Sequence, residues 1–326
     1  MKGKHHIVIE TARLKYEFDI RRNITVIKGD SATGKTTLVG LLQAYSVNGD
    51  RSGVMVNSDV PCYVYSGDMN SWKNILSGYH GGIVFFDEDY TFVLSTDFAR
   101  FIQKTDNYYV LITRRDLVNL PYSINEIYGI RTSGKYHFPQ KIYNEFYHIY
   151  SEEYDDAMKG PIILTEDSNS GFQFFSKVCG ELTCISAGGN AQIFKKISEI
   201  EPDKPLVVIA DGAALGAYIA RVMSVAELRK KIMLYFPESF EWLILKSGVI
   251  ESRKITDILD HPEDYIESSE YFSWEQYFTD VLKKATSDNQ IMRYDKSTLS
   301  EFYTSDQNAK KVLKVLPKDI YDSLPH

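Results

Sequence analysis

The segment that most restricts this fold is Asn23-Ile24-Thr25-Val26-Ile27-Lys28, followed at once by Gly29-Asp30-Ser31-Ala32-Thr33-Gly34-Lys35-Thr36-Thr37 and then Leu38-Val39-Gly40-Leu41-Leu42. A β-branched run, a Gly-x-x-x-x-Gly-Lys-Thr loop and an apolar helical stretch, joined without a gap, read as strand, tight turn and helix. A strand that leads straight into a helix returns to its sheet as a parallel crossover, so this half of the chain is expected to be α/β. The loop chemistry points to phosphate. Its glycines let successive backbone N–H groups turn inward onto an anion. The helix N-terminus adds about half a positive charge toward the same point. In that frame residues 29–37 bind a nucleotide, the Lys35 ammonium reaches the β- and γ-phosphates, and the Thr36 hydroxyl is a magnesium ligand.

About fifty residues on, Gly82-Ile83-Val84-Phe85-Phe86-Asp87-Glu88 is an apolar strand ending in two carboxylates. Asp87 is expected to hold magnesium, directly or through water, and Glu88 to polarise the attacking water. The next apolar run, Tyr108-Tyr109-Val110-Leu111-Ile112, ends in Thr113-Arg114-Arg115-Asp116. Thr113 is a candidate sensor of the γ-phosphate. Arg114 or Arg115 is a candidate cation for phosphoryl transfer, in cis or from a neighbouring subunit; the other reading pairs them with Asp116 or Glu126. There is no Asn-Lys-x-Asp segment for guanine, and Tyr90 stands three residues after Asp87 where GTPases place glycine, so ATP is the expected nucleotide.

These motifs resemble the Walker A and Walker B elements of P-loop ATPases. The two strand-like runs before the loop, 7–10 and 14–19, resemble the start of the ABC type. Leu76-Ser77-Gly78-Tyr79 is superficially like the ABC signature, but it lies directly against the Walker B run instead of a helix earlier. The resemblance is therefore to a minimal ABC-like ATPase without the sandwich dimer.

Charge divides the chain. Residues 1–150 hold 17 Lys and Arg against 15 Asp and Glu, and residues 151–326 hold 20 against 29. A second half at net −9 argues against a broad DNA-coating surface there, though not against a local basic groove. No run approaches the roughly 20 apolar residues of a membrane span. The basic start Met1-Lys2-Gly3-Lys4-His5-His6 is followed by an apolar run too short for a secretory leader. Cys62, Cys179 and Cys184 lack disulfide-framework or zinc spacing, so buried thiols in a reducing cytoplasm are expected.

Alternating strand and helix signals organise the first half, with strands at 7–10, 14–19, 24–28, 62–65, 83–86 and 108–113 and helices at 35–45, 70–76 and 96–104. An acidic run at 151–158 and then Lys159-Gly160-Pro161 mark a boundary. A second alternation follows, with strands at 162–165, 182–186, 206–210 and 232–236 and helices at 171–179, 191–200 and 217–231. The last 75 or so residues read as helical. There Ser273-Trp274-Glu275-Gln276 fits a capping box, and Trp274, Phe278 and Leu282 share one face. The expected domains are 1–150, 160–250 and a C-terminal extension at 251–326.

Ile162-Ile163-Leu164-Thr165-Glu166-Asp167 and Leu206-Val207-Val208-Ile209-Ala210-Asp211-Gly212-Ala213 place carboxylates at two strand ends. Residues 162–216 resemble a Toprim domain, which has a glutamate after its first strand and Asp-x-Asp after its third. That resemblance implies magnesium between Glu166 and Asp211, with Asp167 as a helper, for phosphodiester chemistry. Ala213 stands where the second aspartate belongs, which leaves a two-metal arrangement short of ligands. Phe236-Pro237-Glu238-Ser239-Phe240-Glu241-Trp242-Leu243 resembles the acidic-aromatic segment of Toprim-like proteins encoded beside ATPases in phage-defence loci, with Glu238 or Glu241 as a further carboxylate.

Two readings result. In one, an ATPase controls a Toprim-like domain that processes nucleic acid or serves phage defence. In the other, that domain is catalytically dead and the protein is an ATP-dependent sensor or scaffold that recruits a separate effector. Both expect ATP and Mg2+ as cofactors, nucleic acid or an effector protein as partner, no membrane, and a homo-oligomer.

Overall fold

The computed structural model describes residues 1–29, 34–137, 141–150 and 157–325. These form two compact units, Met1–Tyr150 with Pro262–Phe272, and Ser151–His261 with Ser273–His326. Both are α/β.

The first unit contains β1 (His5–Glu10), β2 (Leu14–Ile20), β3 (Ile24–Ile27), β4 (Met55–Asn57), β5 (Cys62–Val64), β6 (Ile83–Phe86), β7 (Tyr108–Ile112), β8 (Ile127–His137) and β9 (Lys141–His148), in one sheet of order β4-β1-β2-β9-β8-β3-β7-β6-β5. From β5 through β6, β7 and β3 to β8, neighbours run parallel. The β8–β9, β1–β2 and β1–β4 pairs are antiparallel, and β9 runs parallel to β2.

Every residue of β3, β6 and β7 is buried, the pattern of parallel strands covered on both faces. Helix α1 (Lys35–Asn48) sets Leu38, Val39 and Leu42 against Ile7, Ile9, Phe18, Phe85 and Val110. An aromatic cluster supports β6: Trp72 of α2 (Trp72–Leu76) stacks on Phe92, and Phe98 of α3 (Thr96–Ile102) meets Phe86 edge-on.

The sequence reading omitted β4, β8 and β9. β9 has one buried residue, Asn144, so it offers no apolar run and little alternation to read. Its role comes from position, since with β8 it joins the β1–β2 ribbon to the parallel strands.

In the second unit β10 (Ile162–Thr165), β11 (Cys184–Ser186), β12 (Leu206–Ile209) and β13 (Ile232–Tyr235) form a parallel sheet of order β11-β10-β12-β13. Helices α4 (Ser170–Val178), α5 (Ile193–Glu199) and α6 (Ile219–Ala226) connect these strands, and α7 (Phe240–Lys246) follows them. The helix expected over 217–231 is thus shorter. α8 (Arg253–Asp260), α9 (Trp274–Thr286), α10 (Glu301–Thr304), α11 (Asp306–Leu313) and α12 (Lys318–Ser323) belong to the same unit as this sheet, while Pro262–Phe272 joins the first unit. On α9, Trp274, Phe278 and Leu282 are buried as the spacing requires. Ser273 occupies the N-cap position, yet its side chain makes no capping hydrogen bond, so the expected capping box does not form. Among the described residues no helix is long and apolar enough to cross a membrane.

Candidate functional site

The register of the first sheet collects most of the expected nucleotide-site residues. Ile27 is paired with Ile112, and Leu111 with Phe86. Gly29, Thr113 and Asp87 therefore leave three adjacent parallel strands at one edge, where α1 begins. The carboxyl ends of parallel strands are where α/β sheets bind ligands. Asp30, Ser31, Ala32 and Thr33 lie outside the described residues.

Gly34 caps α1 with φ 93, a left-handed conformation that a side chain adopts at a cost. Tyr16 of β2 adds a second reason for glycine: its hydroxyl donates to the Gly34 carbonyl at 3.0 Å, and a Cβ on Gly34 would stand 2.9 Å from that hydroxyl oxygen. Tyr16 is itself buried. Burial raises its phenol pKa, against the opposing effect of a Thr37 hydrogen bond, so it remains a donor. The sequence reading missed this support because Tyr16 is distant in sequence and belongs to no motif.

Lys35 is 6% exposed, and its ammonium donates to the Gly29 carbonyl at 2.7 Å. The cation thus rests on the last described residue before position 30. Thr36 and Thr37 on the first turn of α1 are exposed. Asp87 Oδ1 accepts from the Glu88 backbone N–H at 2.8 Å. Thr113 is buried, and its N–H donates to Ile27 at 3.1 Å, which ties it to the strand before the loop.

Arg114 is placed differently from either expected pairing. Its Nε and Nη2 face the two Glu88 oxygens at 3.2 and 3.4 Å, an ion pair within one chain. Asp116 is taken by Lys28 at 3.0 Å and Glu126 by Arg21 and Arg22.

Magnesium bound beside phosphates keeps waters and needs only one or two protein oxygens. Thr36 and Asp87 suit that role. Among the described residues no group of three or more His, Cys, Asp or Glu is arranged to hold a metal.

A second candidate site lies in the second unit, where β10 and β12 are neighbours and bring Glu166 and Asp211 together. Glu166 Oε2 accepts from the Asp211 N–H at 3.1 Å. Asp211 Oδ1 accepts from the Phe240 N–H at 3.2 Å. Gly212 permits this close turn: its N–H donates to Pro237 at 2.6 Å, and a Cβ would stand 2.5 Å from the Phe236 carbonyl oxygen.

Asp167 lines the same cavity, and its carboxylate accepts from the backbone and side chain of Asn169. Of the two later glutamates, Glu241 lines the cavity and Glu238 does not. Glu241 is fully buried, and its Oε1 accepts from the Tyr294 hydroxyl at 2.7 Å. Ser170 then donates to that Tyr294 oxygen at 2.6 Å.

Lys296, which no spacing signals, lines the same cavity and donates to Glu275 of α9 at 2.5 Å. Burial, then the Glu275 charge, pushes Glu166 up to about 8. Burial, then Glu166, raises Asp211 well above the usual carboxylate range. Burial lowers the Lys296 pKa, but Glu241, Glu275 and Asp211 overcome it and leave the ammonium more firmly protonated than a free lysine.

No protein-family model matches this chain, and a search of the curated proteins finds none similar to it.

Proposed function

We propose that this chain binds ATP with magnesium and hydrolyses it, and that the nucleotide state of the first unit controls the second. The observation that carries the reading is the convergence of Gly34 and Lys35, Asp87 and Glu88, and Thr113 and Arg114 at one edge of three adjacent parallel strands. Lys35 neutralises the β- and γ-phosphates once it leaves the Gly29 carbonyl, and the Tyr16 hydroxyl holds the loop in shape meanwhile. Thr36 and Asp87 hold the magnesium, which supplies charge neutralisation at the transferring phosphoryl group. Glu88 orients the attacking water and accepts its proton. Arg114 fixes the Glu88 carboxylate.

For the second unit, Ala213 and the lysine in the carboxylate cavity favour the sensor or scaffold reading over nucleic-acid cleavage. In that reading the Toprim-like unit relays the ATP state to a separate effector in nucleic-acid processing or phage defence.

Thermal unfolding with nucleotide tests the binding step. Magnesium-ATP at a hundredfold excess over its dissociation constant is expected to stabilise the protein by about 2.7 kcal/mol, and magnesium-GTP to do so less at equal concentration. Equal stabilisation by both would remove the ATP assignment, and none by either would remove nucleotide binding.

Mixing variants tests the geometry of Arg114. Since the arginine contacts Glu88 of its own chain, turnover lost in Arg114→Ala is not expected to return on adding Lys35→Ala protein. Activity of the mixture above the sum of the two would place the action of Arg114 in a neighbouring subunit.

A further inference from the structure

The cavity between β10, β12 and α7 has a volume of about 30 Å³ and is lined by Glu166, Asp211, Glu241 and Lys296 among others. That is room for roughly one water-sized particle. Glu241, which lines this space, is 0% exposed, and its Oε2 has no hydrogen-bond partner among the described residues. A fully buried carboxylate oxygen with no donor is costly to keep unless positive charge lies near. The Toprim resemblance implies that a divalent ion provides it, yet the donor set does not fit one.

Magnesium takes six oxygens in near-octahedral geometry. Here Ala213 is buried where a second aspartate would stand. Glu166 is bound to the Asp211 N–H, Asp211 to the Phe240 N–H, and Glu241 to Tyr294. The Asp167 carboxylate is held by Asn169. The Lys296 side chain lines the same space, with its ammonium bound to Glu275 and attracted by Glu241 and Asp211, and that charge repels a second cation.

We infer that this is a cation site filled from within the chain: the Lys296 ammonium, held by Glu275, neutralises the carboxylates around Asp211 and Glu241 and excludes divalent metal. Metal-dependent phosphodiester chemistry is then closed to the second unit while Lys296 stays in place. The inference concerns the second unit and holds whether or not the first hydrolyses ATP.

The test uses the full-length protein without nucleotide, with thermal unfolding followed with and without millimolar Mn2+. Wild type and Lys296→Arg are expected to shift by less than about 1 °C. Lys296→Met is expected to unfold at lower temperature without metal and to gain about 5 °C or more with it, the scale of a few kcal/mol of ligand stabilisation. Adding Asp211→Asn to Lys296→Met is expected to abolish the gain. A Lys296→Met protein that folds only when Mn2+ is supplied supports the inference equally. A folded Lys296→Met protein indifferent to Mn2+ overturns it. So does a wild-type protein that binds Mn2+ by calorimetric titration and loses that binding in Asp211→Asn, a result that does not require the lysine variant to fold.

Discussion

Glu88→Gln is expected to bind ATP as tightly as wild type and to turn it over at least about 100-fold more slowly, the scale of a lost general base. The amide keeps the shape of the strand end and leaves Asp87 and Thr36 in place, so ground-state binding has no reason to change. What disappears is the carboxylate proposed to orient water and accept its proton. The exposed ion pair with Arg114 is lost too, but such pairs contribute about 0–1 kcal/mol, so the variant should unfold close to the wild-type temperature. Lys35→Ala is the contrasting variant. It removes the cation that meets the phosphates, and affinity and turnover should fall together. Single-turnover hydrolysis and equilibrium nucleotide binding on both variants separate the two roles. Wild-type turnover in Glu88→Gln would withdraw the catalytic assignment of that strand end.

Glu126→Ala is expected to destabilise the first unit by about 3–5 kcal/mol, the range found when one partner of a buried ion pair is removed. Glu126 is 0% exposed, and its Oε1 accepts from Arg21 at 3.0 Å and Arg22 at 3.1 Å, while Tyr128 donates to Oε2 at 3.2 Å. Arg22 is buried as well, so the alanine removes a carboxylate that answers its guanidinium away from water. The damage falls where β8 starts beside β3, the strand that leads into residues 28–34. Urea unfolding measures it, and a loss under about 1 kcal/mol would show that Arg22 finds water or another partner. Nucleotide binding in the surviving folded fraction should be near normal, because Glu126 lies away from the edge that carries Gly34 and Lys35.

The strand–loop–helix of residues 23–42, the carboxylates after β6 and the polar end of β7 were legible in the sequence because each is a local pattern. The apolar runs specify buried strands, the glycines specify backbone turns, and the hydroxyl and charged groups follow within one or two residues. The same locality made Glu166 and Asp211 legible at their strand ends, and the face of α9 at its helical spacing.

What no local pattern carries is the meeting of groups far apart in the chain. Tyr16 reaches Gly34 only because β2 and the start of α1 are folded together. Arg114 faces Glu88 only because β6 and β7 are paired, and Glu126 takes Arg21 and Arg22 in place of the arginines after β7. Lys296 enters a carboxylate cavity built from β10, β12 and α7, with Glu275 of α9 to hold it. Types and spacings of residues determine which strand ends carry charge. Which opposite charge answers them is decided by packing, since Coulomb attraction and burial act on distance in space, whereas motifs record only distance along the chain.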